Sequence, residues 1–407
     1  MKHLVTNRAF VLVMISDILQ NVGIWIRNMG LLFFVVTQTN GNPIAVSLLT
    51  IVEYLPIFVF SLIGGVLADR WRPKQTMIWG DVLSFLSVLL IIFVVASGYW
   101  QAVFVVTAVS AIVSQFSQPS SLKIIKQHVS EENIPLAMAI SQTLMALFIV
   151  GGPVLGTAIY NFFGITASLS GLLVIFALSA VCLSFLPSVS VKESQDDRKS
   201  FVSELTEGLR YVRSSEQLKT LLLMYAVLAV GVGLVQPLDV FLVTERLNLP
   251  KENLQWFTAV SGFGLLVGGA LAGVLSKKVR ANVSIFAGLC FLGIATIVEV
   301  LSVWPILTGT MRFLTGVFLA FMQTVLSSFM LTTVDQKYIG RLNGLMMPVF
   351  TGFLLIGTGV SGVYMTATSL ITVFVTSGII LVAASFIGLR LSVETAADSE
   401  PLPYELN

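Results

Sequence analysis

Stretches of about 20 apolar residues, the length at which a helix crosses a bilayer, can be placed twelve times along this 407-residue chain. The predicted spans run near 9–37, 44–68, 75–97, 101–122, 136–161, 165–187, 219–243, 254–276, 282–303, 306–331, 343–364 and 369–390. Only 11% of residues are charged, whereas an ordinary soluble domain carries about 25%. A bilayer offers backbone groups no water, and a helix satisfies them within itself. The chain therefore reads as an all-α membrane protein with twelve transmembrane helices.

The bases orient these spans. All but four of the 23 lysines and arginines fall at the termini or in the loops after the second, fourth, sixth, eighth and tenth helices. The exceptions are Arg27, Arg246, Lys251 and Arg312. Because basic loops stay inside, both termini are expected in the cytoplasm and the chain in the cell membrane, multi-pass. Met1 to Arg8 is short and polar, and the first apolar run is too long for a cleavable signal peptide and lacks a small-residue cleavage site.

The longest polar segment divides the chain near its middle. It gives an N-terminal six-helix bundle at 1–187, a cytoplasmic linker at 188–218, a C-terminal six-helix bundle at 219–391 and a cytoplasmic tail at 392–407. An amphipathic run through Phe201, Leu205, Leu209 and Val212 predicts a surface helix in the linker. The halves echo one another. Gly65 to Arg70 recurs as Gly273 to Lys278, and Val129 to Ile134 as Val334 to Ile339, at nearly the same offset, as duplication of a six-helix unit would leave them.

No glycine-rich loop ends in Gly-Lys-Ser or Gly-Lys-Thr, so transport driven by ATP within this chain is not expected. His3 and His128 lie outside the spans, and no Ser/His/Asp or Cys/His grouping suggests an enzyme. Cys182 and Cys290 sit in apolar runs and imply neither a disulfide nor a metal site. A net charge of +2 gives no ground for a nucleic-acid partner. The expectation is a monomer surrounded by membrane lipid, without cofactor or metal.

From Gly64 to Lys74 an apolar run ends in one acid and three bases before another begins at Gln75. Gly64 and Gly65 let helices approach closely, Asp69 can sit against a helix N-terminus, and Arg70, Arg72 and Lys74 hold the turn at the cytoplasmic face. Asp81, within two turns of that face, is expected to brace this latch. Alone, the stretch also reads as an ordinary positive-inside turn. Gly65, Asp69, Arg70, Arg72 and Lys74 resemble the loop between the second and third helices of the major facilitator superfamily. Trp71 and Pro73 stiffen this version, which lacks the family's glycine before the second arginine. The second repeat has Lys277 where the first has Asp69, so only the first turn can form an acid-centred latch.

In the fifth helix, Gly152, Pro153 and Gly156 combine small residues with a proline that frees a carbonyl and kinks the helix. They resemble the Gly-Pro-x-x-Gly element of exporters in that superfamily, with Thr157 in place of a second glycine; a simple packing kink is the other reading. With Asn7-Arg8, Leu55-Pro56, Asp81 and Gly340-Arg341, residues 7–390 resemble bacterial drug:proton antiporters of the macrolide-efflux type. That resemblance implies the major facilitator fold: two pseudo-symmetric six-helix bundles in a V. Helices 1, 4, 7 and 10 would line a cavity open alternately to either side, with protons as the coupling ion.

A charge at mid-span costs about 2.5–3.5 kcal/mol on insertion scales, so Asp17, Arg27, Glu53, Asp81, Asp239, Glu299 and Arg312 each need a partner or a role. Burial favours a carboxylate's neutral form, which lets such a group take a proton from one side and release it to the other. Glu53, Asp239 and Asp17 are the proton-coupling candidates, with Arg27 at the depth of Glu53. A permanent Arg27–Glu53 salt bridge is the competing reading. Glu299 and Arg312, near the external end, are expected to pair or to reach water. Gln20, Trp25, Gln115, Gln118, Gln236 and Gln323, beside many Phe and Met, are the cavity candidates and suit a small amphipathic substrate; helix-packing hydrogen bonds are the alternative. The reading is a secondary active transporter, a proton-coupled exporter of amphipathic drugs or toxic compounds. Its rivals are an exporter or flippase of a lipid, siderophore or peptide, an importer, and a non-transporting receptor of the same fold.

Overall fold

The computed structural model describes residues 4, 6–68, 72–187, 210–213, 215–275, 281–333 and 336–390. Asp69, Arg70 and Trp71 of the predicted latch, Lys277 and Lys278 of its repeat, most of the predicted linker and the whole predicted tail lie outside the described residues. The long helices are α1 (Arg8–Gln38), α2 (Pro43–Ala68), α3 (Pro73–Ala96), α4 (Ala102–His128), α5 (Ile134–Ser184), α6 (Glu216–Val235), α7 (Leu254–Leu275), α8 (Ala281–Leu301), α9 (Pro305–Thr333), α10 (Gln336–Ala367) and α11 (Leu370–Gly388).

Among the described residues, ten segments are long and apolar enough to cross a membrane. One contains α5, whose 51 residues make about 75 Å of helix, enough for two crossings. The predicted fifth and sixth helices are thus joined by a bend with no intervening loop, placed at Gly164, where φ is 71° and ψ 179°; a side chain there would meet strain that glycine avoids. The 27-residue α4 has the length of a further crossing, which makes the twelve consistent with the sequence.

Local chemistry sets several helix ends. Asn7 accepts from the amide of Phe10 and donates to the carbonyl of His128, fixing the start of α1 to the end of α4. Pro73 starts α3 where its missing N–H costs nothing. The predicted seventh helix, 219–243, is not continuous: α6 ends at Val235, a 3-10 turn follows at Gln236–Leu238, then Asp239–Phe241 and a π-helical turn at Leu242–Arg246. Pro237 cannot donate to the ladder, and the turn relaxes around it. At the other end α6 begins at Glu216, inside the predicted linker, and Val212 of the expected surface helix is buried against Leu218 and Leu221.

Packing repeats between the halves. In the first, α1 packs on α5, α2 on α4, and α3 on α4 and α5; in the second, α6 packs on α10 and α11, α7 on α9, and α8 on α9 and α11. The halves meet through α2 with α10 and through α5 with α7, which are equivalent pairs in the two repeats.

The chain enters α1 at what is here termed the terminus end; the turn at Asn40 and Gly41 marks the opposite, far end. One apolar core at the far end draws on both halves, including Phe34, Val46 and Leu49 from the first and Phe241, Leu254 and Phe374 from the second. At the terminus end there are two separate cores. One belongs to the first half, around Phe10, Met77, Ile125 and Leu183. The other belongs to the second, around Leu221, Met224, Leu289 and Leu326. The described halves thus share a core, a weld, at the far end and keep separate cores at the terminus end.

Candidate functional site

In the first half α1 carries Arg27, whose side chain is 7% exposed. Its Nη1 donates to Ser110 Oγ on α4 at 2.8 Å, and Nε and Nη2 each donate to Asn28 Oδ1 at 3.2 Å. Asn28 Nδ2 in turn donates to Glu53 Oε1 on α2 at 2.8 Å. The direct Arg27–Glu53 separation is 4.0 Å, and Glu53 is 29% exposed. Candidate Glu53 thus meets Arg27 at the limit of an ion pair, with an amide standing between them.

Nearer the terminus end, Asp17, Gln20 and Asp81 line one cavity of about 250 Å³ together with Asn21, Ser121 and Arg27. Gln20 donates to Asp81 Oδ1 at 2.9 Å and to Ser16 at 3.3 Å, and Ser16 is hydrogen-bonded to Ser179 of α5 at 2.8 Å. Ser121 donates to Asp17 Oδ2 at 3.3 Å. Asp81, expected to brace the basic turn, has its hydrogen bond from Gln20 inside the first half. It sits on α3 at the height of Gln20, and that amide supplies a donor without leaving the bundle.

The second half holds a tighter arrangement. Arg312 on α9 makes a bidentate pair with Asp239, Nη1 to Oδ2 at 3.0 Å and Nη2 to Oδ1 at 2.7 Å. Its Nε lies 2.8 Å from Glu299 Oε2 on α8. Asp239, a coupling candidate, is therefore clamped, and Glu299 and Arg312 pair with each other as expected. Their joint capture of Asp239, 73 residues from Arg312 in sequence, has no signal in the sequence.

All four bases that depart from the charge asymmetry have such employment. Arg246 donates to the last carbonyls of α8, Val300 at 2.7 Å and Leu301 at 3.2 Å, where a cation suits a helix C-terminus. Lys251 reaches across the halves to the carbonyl of Phe33 at 3.2 Å and to Thr37 Oγ1. Arg27 and Arg312 hold the two networks within the spans.

Gln236, in the turn that interrupts the seventh span, donates across the halves to Tyr54 Oη at 2.9 Å. Trp25 is wedged under α5: a Cβ at Gly152 would strike its indole, and one at Gly156 its backbone carbonyl. Gly152, Pro153 and Gly156 thus form the crossing of α5 over α1, and glycine is required there by close approach. Of the other cavity candidates, Gln20 lines the cavity, Gln115 is half-buried, Gln323 is exposed, and the side chain of Gln118 lies outside the described residues. From the latch, Lys74 donates to the carbonyls of Ser184 and Leu186 at the end of α5 at 2.8 and 2.5 Å; Arg72 is exposed, and Gly65 belongs to the last turn of α2.

Known proteins share this architecture. Residues 9–247 match the family model described as Major Facilitator Superfamily. The "uncharacterized MFS-type transporter YfiS" of Bacillus subtilis is 25% identical over 395 residues, covering 92% of this chain and 91% of its own. Macrolide efflux protein A of Streptococcus pyogenes is 22% identical over 379 residues, covering 89% and 90%. Among solved structures, a crystal structure of a variant of the nucleoside transporter NupG superposes with a TM-score of 0.79 at 11% identity, covering 94% of this chain and 99% of that one.

Proposed function

The chain belongs to the Major Facilitator Superfamily, and on that premise we propose that it is a proton-coupled exporter of small amphipathic compounds working by alternating access. The observation that carries this reading is the one-sided weld. A core shared by both halves closes the far end, while the terminus end has a separate core in each half and a polar cavity beside them. With both termini in the cytoplasm of a cell membrane, as the basic loops imply, this is a state loaded from inside. Export rather than import rests on the efflux relative and on the Gly-Pro-x-x-Gly crossing.

Glu53 is the proposed proton carrier. It holds Arg27 at 4.0 Å and keeps part of its surface accessible, so it can exchange that partner for a proton when the halves rock. Asp239, bound through both oxygens to Arg312, is better suited to hold the second half together. No cofactor is assigned, and the working unit is a monomer in lipid.

The test is transport by purified protein in vesicles of controlled orientation. An imposed pH gradient should drive uphill movement of an amphipathic dye from the terminus side to the far side. Equal accumulation with and without the gradient would remove proton coupling, and movement in the opposite sense would make the protein an importer.

A further inference from the structure

We propose that the cavity between Asp17 and Asp81 is a binding site for an organic cation, a small molecule with one positive charge and an apolar body. The proposal rests on the transport reading and names the class of substrate that the first half recognises. Asp81 is 2% exposed, and its Oδ2 is buried with no hydrogen-bond partner among the described residues. Ser179 lies beside it as a neutral hydroxyl that also shares a 2.8 Å hydrogen bond with Ser16. A buried carboxylate oxygen left unpaired carries its full desolvation cost unless a proton or a bound cation meets it.

Among the described residues, the cavity wall supplies no such cation. Arg27 reaches the rim, yet its donors are directed to Ser110 and Asn28, and its ion partner is Glu53. The Asp17 carboxylate receives the Ser121 hydroxyl at 3.3 and 3.5 Å, while Asn21 donates to the Asp17 backbone carbonyl and leaves the carboxylate alone. Two carboxylates thus face one space with neutral donors. Met138, Met145, Leu122 and Phe176 line the same space, giving an adaptable apolar and aromatic surface. Acid on one side and thioether and ring on the other match a quaternary ammonium with an aryl or alkyl body. A hydrated inorganic cation would leave the apolar wall unused.

The experiment is equilibrium binding to the purified full-length protein in detergent. Radiolabelled benzyltrimethylammonium is the probe, and its uncharged carbon isostere neopentylbenzene is the competitor. Saturable binding of the cation is expected, with little displacement by the isostere at equal concentration. Asp81→Asn should weaken cation binding by at least about tenfold, Asp17→Asn by less, and Asp81→Glu should retain most of it. A parallel melting curve for each variant distinguishes lost binding from lost fold. Equal competition by the isostere, or unchanged binding in a folded Asp17→Asn/Asp81→Asn double variant, would overturn the site. If the cation binds as described but no gradient drives it across vesicles, the site stands and the exporter reading falls.

Discussion

Each half of the molecule holds one arginine within its spans, and the two are held in opposite ways. Arg312 is gripped by Asp239 through two short hydrogen bonds and flanked by Glu299 at 2.8 Å. Arg27 leans on a hydroxyl and an amide and keeps its carboxylate partner at 4.0 Å. Each network ties together three spans of its half: the first, second and fourth in one, the seventh, ninth and tenth in the other. Bidentate charge-assisted pairs are strong and geometrically narrow, whereas a pair relayed through Asn28 can open without leaving either group bare. The second half thus has a strut where the first has a joint.

The largest expected effect breaks the strut. Arg312→Gln leaves Asp239 and Glu299 facing each other without a counter-charge and should cost about 3–5 kcal/mol of stability, seen as a lower melting temperature in detergent. Adding Asp239→Asn and Glu299→Gln should recover most of it. Arg27→Gln should cost less than half as much; equal losses would erase the distinction between the halves.

Glu53→Gln tests the joint by function. Because Arg27 keeps Ser110 and Asn28, folded protein should stay within about 1 kcal/mol of the native chain, while uphill export stops and passive exchange continues. A fall in folded protein that Arg27→Gln repairs would make the pair merely structural. Restored uphill export in that double variant would move the coupling role to Asp239 or Asp17.

Gly156→Ala drives a methyl group into the α1 backbone at Trp25. Overpacking of this kind costs about 1–3 kcal/mol. It should also depress transport, because α1 carries Arg27 while the Arg312 clamp is untouched. Gly151→Ala, which meets open space, serves as its control. The smallest change, Asn28→Ala, removes only the relay and should cost about 1 kcal/mol while shifting the pH dependence of export. An unaltered pH profile would mean that Arg27 and Glu53 act independently of it.

The helices are readable in the sequence because crossing a bilayer demands length and apolarity at once, as α1 and α11 show. The bend at Gly164 is not, since the polypeptide turns there without a polar loop, and apolarity alone runs the seventh span straight through Pro237. The charge sites are legible as single residues, because an acid in an apolar run stands out. Their partners are not: Asp239, Glu299 and Arg312 meet only after three helices pack, and Asp81 takes a donor from Gln20, 61 residues away. The pairing of Arg27 with Glu53 follows from depth alone, but the intervening Asn28 does not, because it depends on which way each helix is rotated.

The far-end core also gives the proposed cycle a thermal signature. Opening that end wets Phe34, Leu49, Phe241, Leu254 and their neighbours, and exposing apolar surface to water raises heat capacity. A cycle limited by this step has an activation enthalpy that itself climbs with temperature. Turnover plotted against inverse temperature then bends, and substituting smaller side chains in this core flattens the curve before it abolishes transport.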